Sequence, residues 1–497
     1  MDTLNKEKLT NDEFTNIWLG YYSTKQKYKK FYQFDHEGHA NRVIIDNIEF
    51  VEPIHIYDYI DEDDYFLDIL ILNSKIPYLH IEHIKTGDIT ISNTEIGHIE
   101  LEKSLCGILS FEDLKGLEEI VFFIMTLPKV IFEELDIRKK VAINNCGIDE
   151  LVVTNYSKKI QINIDDGSGI SNLTIAPNST ISMDLEDSQI GTLQIKHGVI
   201  TRDSIIKINN CKINIFLFES TLNLGVISLK GIKPINYYTK WHIKKRDHKY
   251  YRDDKHKYSI NRIERNSEVQ FLHSDLGKFS MIECELEKFN KFVFFNTKIL
   301  EMFIAGTKLP TIISVPEEYQ NESLEQQRLG FSQFKKIFEN RGDSVSASIY
   351  QAKELDIYRE LLTQEKKSLS IFTRDWFNNF GERTNLMLNR FSNYYGNNWL
   401  RSTIVTLIAT FFFFTVYSFL LGNRLGNDFQ LFFKLFSYSF EFINPLRKST
   451  ELENVIKITD NENWLSLART WDYISRIFLA YFVYQTVQAF RKFGKKS

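Results

Sequence analysis

ILNSKIPYLHIEHIKTGDITISNTEIGHIEL, residues 71–101, repeats every five residues. Ile71, Ile76 and Ile81 stand five apart, as do Ile91, Ile96 and Leu101, with Phe111 still in frame. The step recurs at Ile143, Ile148 and Val153, at Leu185, Ile190 and Ile195, and at Ile208, Ile213 and Phe218. It returns at Phe271, Leu276, Met281 and Leu286, and at Phe294, Ile299 and Ile304. Two residues before many of these sits a small side chain: Ser74, Thr94, Cys146, Ser188, Cys211, Ser274, Cys284, Thr297. One residue earlier the chain is polar: Asn73, Asn93, Asn145, Asp187, Asn210, His273, Asn296. Neither a 3.6-residue nor a two-residue period produces this pattern. A large aliphatic centre with a small residue two before it builds a square coil, one pentamer per side, with the large side chains filling the axis.

These residues resemble the pentapeptide-repeat family, which implies an all-β right-handed solenoid of four pentamers per coil. The resemblance runs over about Asn41 to Leu309 and is degenerate, with Ile more often than Leu or Phe at the centre and frame slips near Leu127 and Lys230. The open ends of such an array need covering. Phe14, Ile17, Trp18 and Tyr21 make one apolar face of a helix that Thr10 or Asn11 can cap. That helix reads as the first cap or, alternatively, as an interfacial membrane helix.

Outside the repeat, three stretches matter. KWHIKKRDHKYYRDDKHK, residues 240–257, interrupts the array as a basic aromatic patch suited to phosphate, lipid headgroups or nucleic acid, or simply as a solvated loop. Its histidines, His242, His248 and His256, lack metal-binding spacing, and no metal site is expected there. After Pro310 and Pro316 the period becomes helical: Phe331, Phe334, Ile337 and Phe338 stripe one helix, Gly342-Asp343 turns, and Ser344 can cap a second. This resembles a single tetratricopeptide-type hairpin. Ile404 to Leu421 then runs without a charge, roughly 27 Å of helix, close to the thickness of a bilayer core.

The expected organisation is a helical cap over 1–40, a solenoid over 41–310 with an insertion at about 234–266, a helical linker over 317–400 and a transmembrane domain over 401–497. The last would hold a two-helix transmembrane hairpin, about 402–421 and 474–490, with an amphipathic helix over about 429–443 between them. Read as that helix, Gln430, Lys434, Ser437 and Glu441 share one face and the phenylalanines the other. In the second crossing Arg476, Gln485 and Gln488 are polar groups at depth, which usually face a bundle interior or a cavity. The seven are the candidate pore-lining residues; polar helix packing, or snorkelling of Arg476, is the competing reading.

The C-terminal half, FSQFKKIFENRGDSVSASIYQAKELDIY, NYYGNNWLRS and YFVYQTVQAFRKFGKK, with HSDLGKFSMIECELEKF and AGTKLP before it, resembles bacterial membrane proteins that join pentapeptide-like repeats to a two-helix, ion-channel-like tail. The resemblance implies an inner-membrane, multi-pass protein. No Thr-Val-Gly-Tyr-Gly type filter occurs between the crossings, so potassium selectivity does not carry over.

The chain has 497 residues, 61 basic and 65 acidic side chains and a net charge of -4, so no chain-wide basic surface argues for nucleic acid. Met1 to Glu13 is charged and has no secretory pattern. The 4 Cys are far apart, which fits a reduced compartment and packed thiols. Basic Arg491, Lys492, Lys495 and Lys496 put the C-terminus, and by two crossings the large domain, in the cytoplasm. The loop between the crossings is also basic, which weakens the charge argument. No phosphate loop, zinc spacing or nucleophile motif suggests an enzyme, and no cofactor is expected. Two functions follow. One is a homo-oligomeric, ion-channel-like or pore-forming effector controlled by the cytoplasmic solenoid. The other is a membrane-anchored scaffold whose solenoid recruits a protein partner.

Overall fold

The computed structural model describes residues 7–20, 25–34, 40–57, 67–104, 106–155, 159–241, 243–246, 249–252, 260–422, 436, 438–448, 453–454 and 462–494. They form two units, Met1–Gln320 and Asn321–Ser497.

The first unit is a β-solenoid of about 10 turns. Successive strands go alternately to two 13-stranded sheets. Pairing along both is parallel, apart from Tyr32–Phe34 against Ala40–Asp46 at the N-terminal edge. Large side chains stack in register from coil to coil: Ile71 on Ile91, Ile91 on Phe111, Phe111 on Phe132, and at the far end Phe218 on Phe271 on Phe294. Of the centre residues named from the sequence, only Ile299 is not buried. The frame slip near Leu127 is a longer coil, because Ile89 pairs with Leu109 but Leu109 pairs with Val130.

The expected four-sided coil is resolved into two sheets. Going from Ile71 to Ile76 the chain leaves one strand, turns at Asn73 and enters the next, Lys75–Glu82. From Ile76 to Ile81 it stays in that strand. Pro77 and Tyr78 both stay out of the core there, which resets the in-and-out alternation. Pairing passes from Ile76–Ile96 to Tyr78–His98, so a kink within a strand replaces one corner of the square.

The true corners are left-handed. All seven polar residues picked out before the small slot have positive φ: Asn73 49°, Asn93 46°, Asn145 52°, Asp187 46°, Asn210 54°, His273 49° and Asn296 43°. Asn and Asp tolerate this region because a short polar side chain bonds locally, whereas other L-residues meet a Cβ clash. The side chains form an outer ladder, with Asn93 Nδ2 donating to Asn73 Oδ1 at 2.6 Å.

The small residue that follows is buried at all eight positions. Its hydroxyl or thiol donates to the carbonyl two residues back, as from Ser74 to Leu72 (2.7 Å), Ser188 to Glu186 (2.7 Å) and Cys146 to Asn144 (3.2 Å). Ser74, Thr94 and Ser274 also accept an amide from the preceding coil, as from Ile48 N to Ser74 Oγ (3.2 Å), and Ser168 at an equivalent corner accepts from Cys146 N (3.2 Å). A corner interrupts the sheet ladder, and these bonds satisfy the groups it leaves over.

Both ends are covered. Helix α1, Asn11–Trp18, opens on a Thr10–Glu13 capping box and buries Phe14, Ile17 and Trp18, with Phe14 edge-on to Phe50 at 4.9 Å. At the other end Ser314 bridges to Val293, and Tyr319 stacks on Phe295 at 4.4 Å. The insertion forms antiparallel pairs, Tyr237–Trp241 with Ile260–Glu264 and Ile243–Arg246 with Lys249–Arg252. Buried Asn214 holds its root by donating to the carbonyls of Ile235 (2.7 Å) and Arg265 (2.8 Å).

The second unit is helical: α2 Ser323–Asn340, α3 Ser344–Glu365, α4 Arg374–Asn393, α5 Trp399–Leu420 and α6 Glu462–Gly494. Phe331, Phe334 and Phe338 of α2 close on Tyr350 of α3, the Phe338 ring stacking at 5.3 Å. The cap of α3 is Asp343, which accepts from Ser346 N at 3.0 Å; Ser344 is the first helical residue.

Three outcomes are expected. Ser168→Ala removes the acceptor of a buried amide and lowers unfolding stability of the full chain by about 1–3 kcal/mol, read from denaturant melts. Ile124, β-branched with φ 52° and 41% exposed, sits at an equivalent corner. Ile124→Asn relieves the clash and raises stability by about 0.5–1 kcal/mol. Burial pushes the Cys106 thiol up to about 12 and Cys146 up to about 11, so at pH 8 a maleimide should label the cysteines only after denaturation.

Candidate functional site

Among the described residues, Trp399–Leu420 is the one helix long and apolar enough to cross a membrane, with mean hydropathy 2.0. Its exposure pattern is inverted. Ser402, Thr406, Thr410 and Ser418 are buried, whereas Ile404, Leu407, Ile408, Phe411, Phe412 and Phe419 are exposed. In water the apolar stripe of a helix faces its partners and the polar residues face solvent.

Thr410 donates to the Thr406 carbonyl of its own helix at 2.8 Å, and Ser418 Oγ has no hydrogen-bond partner among the described residues; Ser402 and Thr406 form a seam between α5 and α6. Thr486 Oγ1 lies 2.9 Å from both Ser402 Oγ and Thr406 Oγ1, and Thr406 also donates to the Phe482 carbonyl at 3.3 Å. Such small hydroxyl residues let two backbones approach closely and still find partners. Towards the other end of the pair Phe413, Phe414, Tyr417, Leu420, Phe442 and Leu479 form an apolar cluster, and Trp471 Nε1 donates to the Phe413 carbonyl at 3.1 Å.

Two polar hubs close the seam. Asn393 ends α4; its Nδ2 donates to Gln485 Oε1 at 2.6 Å, and its Oδ1 accepts from Gly396 N at 2.9 Å. The rest of NYYGNN has similar duties. Tyr394, Tyr395 and Gly396 are all left-handed, Asn397 donates to the Ser348 carbonyl at 2.8 Å, and Asn398 caps α5. The second hub is Asp472, 2% exposed at its side chain and shared by two arginines. Arg447 pairs with it, also donates to Ser475 Oγ (3.0 Å), and lies over the Phe442 ring at 3.5 Å. Arg476 reaches the same carboxylate from one turn away at 2.7 Å.

The candidate pore-lining residues are thus dispersed. Gln485 is buried against Asn393, Arg476 is half-buried against Asp472, and Glu441 and Gln488 are exposed. Gln430, Lys434 and Ser437 lie outside the described residues. Residues 474–490, expected as a second crossing, are the C-terminal half of the 33-residue α6, and they do not form a second helix of spanning apolarity. Arg476, Gln485, Gln488 and the nearby tyrosines Tyr473, Tyr481 and Tyr484 dilute that stretch. Sequence reasoning missed Asn393, Asp472, Arg447 and Thr486. Asp472 and Arg476 stand four apart and share one helix face, which was a readable clue; Asn393 and Gln485 are too far apart in the chain to suggest each other.

Asp472→Ala would strand Arg447 in the interior, and a loss of about 3–5 kcal/mol is expected in detergent melts. Arg476→Ala should cost clearly less, since Arg447 keeps its partner. Equal losses would contradict the shared-carboxylate geometry. Compared with protein-family models, curated proteins and solved structures, the chain gives no match.

Proposed function

We propose that the protein is a membrane-anchored scaffold: the α5–α6 pair sits in lipid, and the solenoid, on the cytoplasmic side, presents its stacked faces to a protein partner. The inverted exposure of α5 carries the reading. Exposed Ile404, Leu407, Ile408, Phe411, Phe412 and Phe419 suit hydrocarbon, while Ser402 and Thr406 bond Thr486 inside and Thr410 bonds back to its own helix. Exposed Ile474, Ile477, Phe478, Val487 and Phe490 continue an apolar exterior on α6, which would be the second crossing. Arg476 and Gln485 are engaged within the chain, so they support helix packing more than a water path.

The second reading is a homo-oligomeric pore in the bacterial inner membrane. It is favoured by Glu441 and Gln488, which among the described residues are the polar candidates that remain exposed and could meet other subunits. Both readings require the chain to stay with membranes in alkaline carbonate, and its release would end both. Proteoliposomes loaded with a fluorescent ion indicator separate them. The scaffold gives no leak; a leak abolished by Glu441→Leu with Gln488→Leu establishes the pore instead.

A further inference from the structure

We infer that the outer face of the first coils holds a site for a divalent transition ion, zinc foremost, built from His80, Glu100 and Glu102 with His55 beside them. It concerns the solenoid alone and does not depend on the membrane reading.

Coil stacking creates the site. Strands Ile54–Tyr57, Lys75–Glu82 and Glu95–Glu102 are neighbours in one sheet, and their register places His55 opposite His80 and His80 opposite Glu100. Glu102 stands two residues further along the last strand, so it points from the same face. One ligand atom each from His80, Glu100 and Glu102 fall within 4.8 Å of one another, and all three side chains are half-buried. His55 Nδ1 lies 3.4 Å from His80 Nδ1. Two nitrogens bound to one tetrahedral zinc at about 2.0–2.1 Å stand roughly 3.3 Å apart.

The surroundings suit a held ion. Tyr78 donates to Glu100 Oε2 at 2.5 Å, which orients the carboxylate as outer partners of metal ligands do. The Tyr78 ring stacks on His98 at 4.9 Å and lies 5.3 Å from His55, walling one side. Two carboxylates match a divalent charge. Imidazole with carboxylate selects a borderline transition ion over magnesium or calcium, which prefer oxygen alone. His98 Nε2 lies 3.9 Å from Glu100 Oε2 and competes when protonated, and an ammonium competes as well, that of Lys103, whose Nζ is 2.5 Å from Glu102 Oε1. Lys103 Nζ is also 3.6 Å from Glu82 Oε1, which offers it another partner when the ion enters. The ion would fasten three coils together beside the N-terminal cap, where Asn11 Oδ1 of α1 accepts from His55 N at 3.1 Å.

The test uses the detergent-solubilised full chain, stripped with chelator and titrated with Zn²⁺ against a chromophoric competitor. One tight equivalent is expected, with a raised melting temperature. Co²⁺ should give the intense visible bands of a four-coordinate site. His80→Gln and, independently, Glu100→Gln should weaken that equivalent on the order of 100-fold or more, with circular dichroism unchanged. Lys103→Gln should tighten it several-fold by removing the competing ammonium. Binding that survives His80→Gln with Glu100→Gln, as histidines of the 240–257 arm would allow, overturns the proposal. So does an absence of four-coordinate cobalt bands.

Discussion

Backbone satisfaction at the corner governs the solenoid. A coil closes only if the chain reverses direction twice per turn, and each reversal takes peptide groups out of the sheet ladders. The left-handed residue makes the reversal, and the buried hydroxyl or thiol after it bonds what the reversal leaves over, within its own coil and, at Ser74, Cys211 and Cys284 among others, towards the coil before. The apolar stack inside supplies most of the driving force, but it would stabilise many stackings equally well. The corner accounts for why every coil turns at the same place.

The same accounting is inverted in the helical unit. Around α5 hydroxyls, amides and one buried carboxylate turn inward and find partners there, and the outside is left to Phe, Ile and Leu. In the solenoid, polar groups at the surface have water as a partner. Around α5, Ser402, Thr406 and Thr486 bond one another, and Asp472 serves two arginines at once. A buried ion network contributes less to stability than to uniqueness: here it sets the rotation of α6 relative to the Phe442–Arg447 segment.

What could be read from the sequence was whatever repeats locally. The Ile frame, the small slot and the polar residue before it were visible because each recurs within a few residues, and they correspond to the core stack, the corner hydroxyl and the left-handed turn. The two-sheet form was not visible, because Pro77 and Tyr78 break the alternation of a strand without leaving it. The sequence pattern offers Ser344 as the cap and Asp343 as part of the turn, whereas Asp343 caps; either side chain has the chemistry and only backbone geometry separates them. The polar residues of the last helix were legible as unusual, but their partners were not. Gln485 needs Asn393, and Arg476 and Arg447 need Asp472. His80 and Glu100 meet for a different reason, as one coil brings residues twenty apart into register.

The coils also change size. Ile69 pairs with Ile89 and Leu173 with Leu193, each 20 residues on, whereas Leu193 pairs with Phe216, 23 residues on. Phe enters the axial stack at Phe111 and Phe132, yields to Val153, Ile175 and Ile195, and returns at Phe218. The coils are therefore not interchangeable parts. A segment duplicated or lost by recombination would fit back only beside coils of its own girth. Such a barrel-maker's constraint gives each coil an address along the array that no strictly periodic tube possesses.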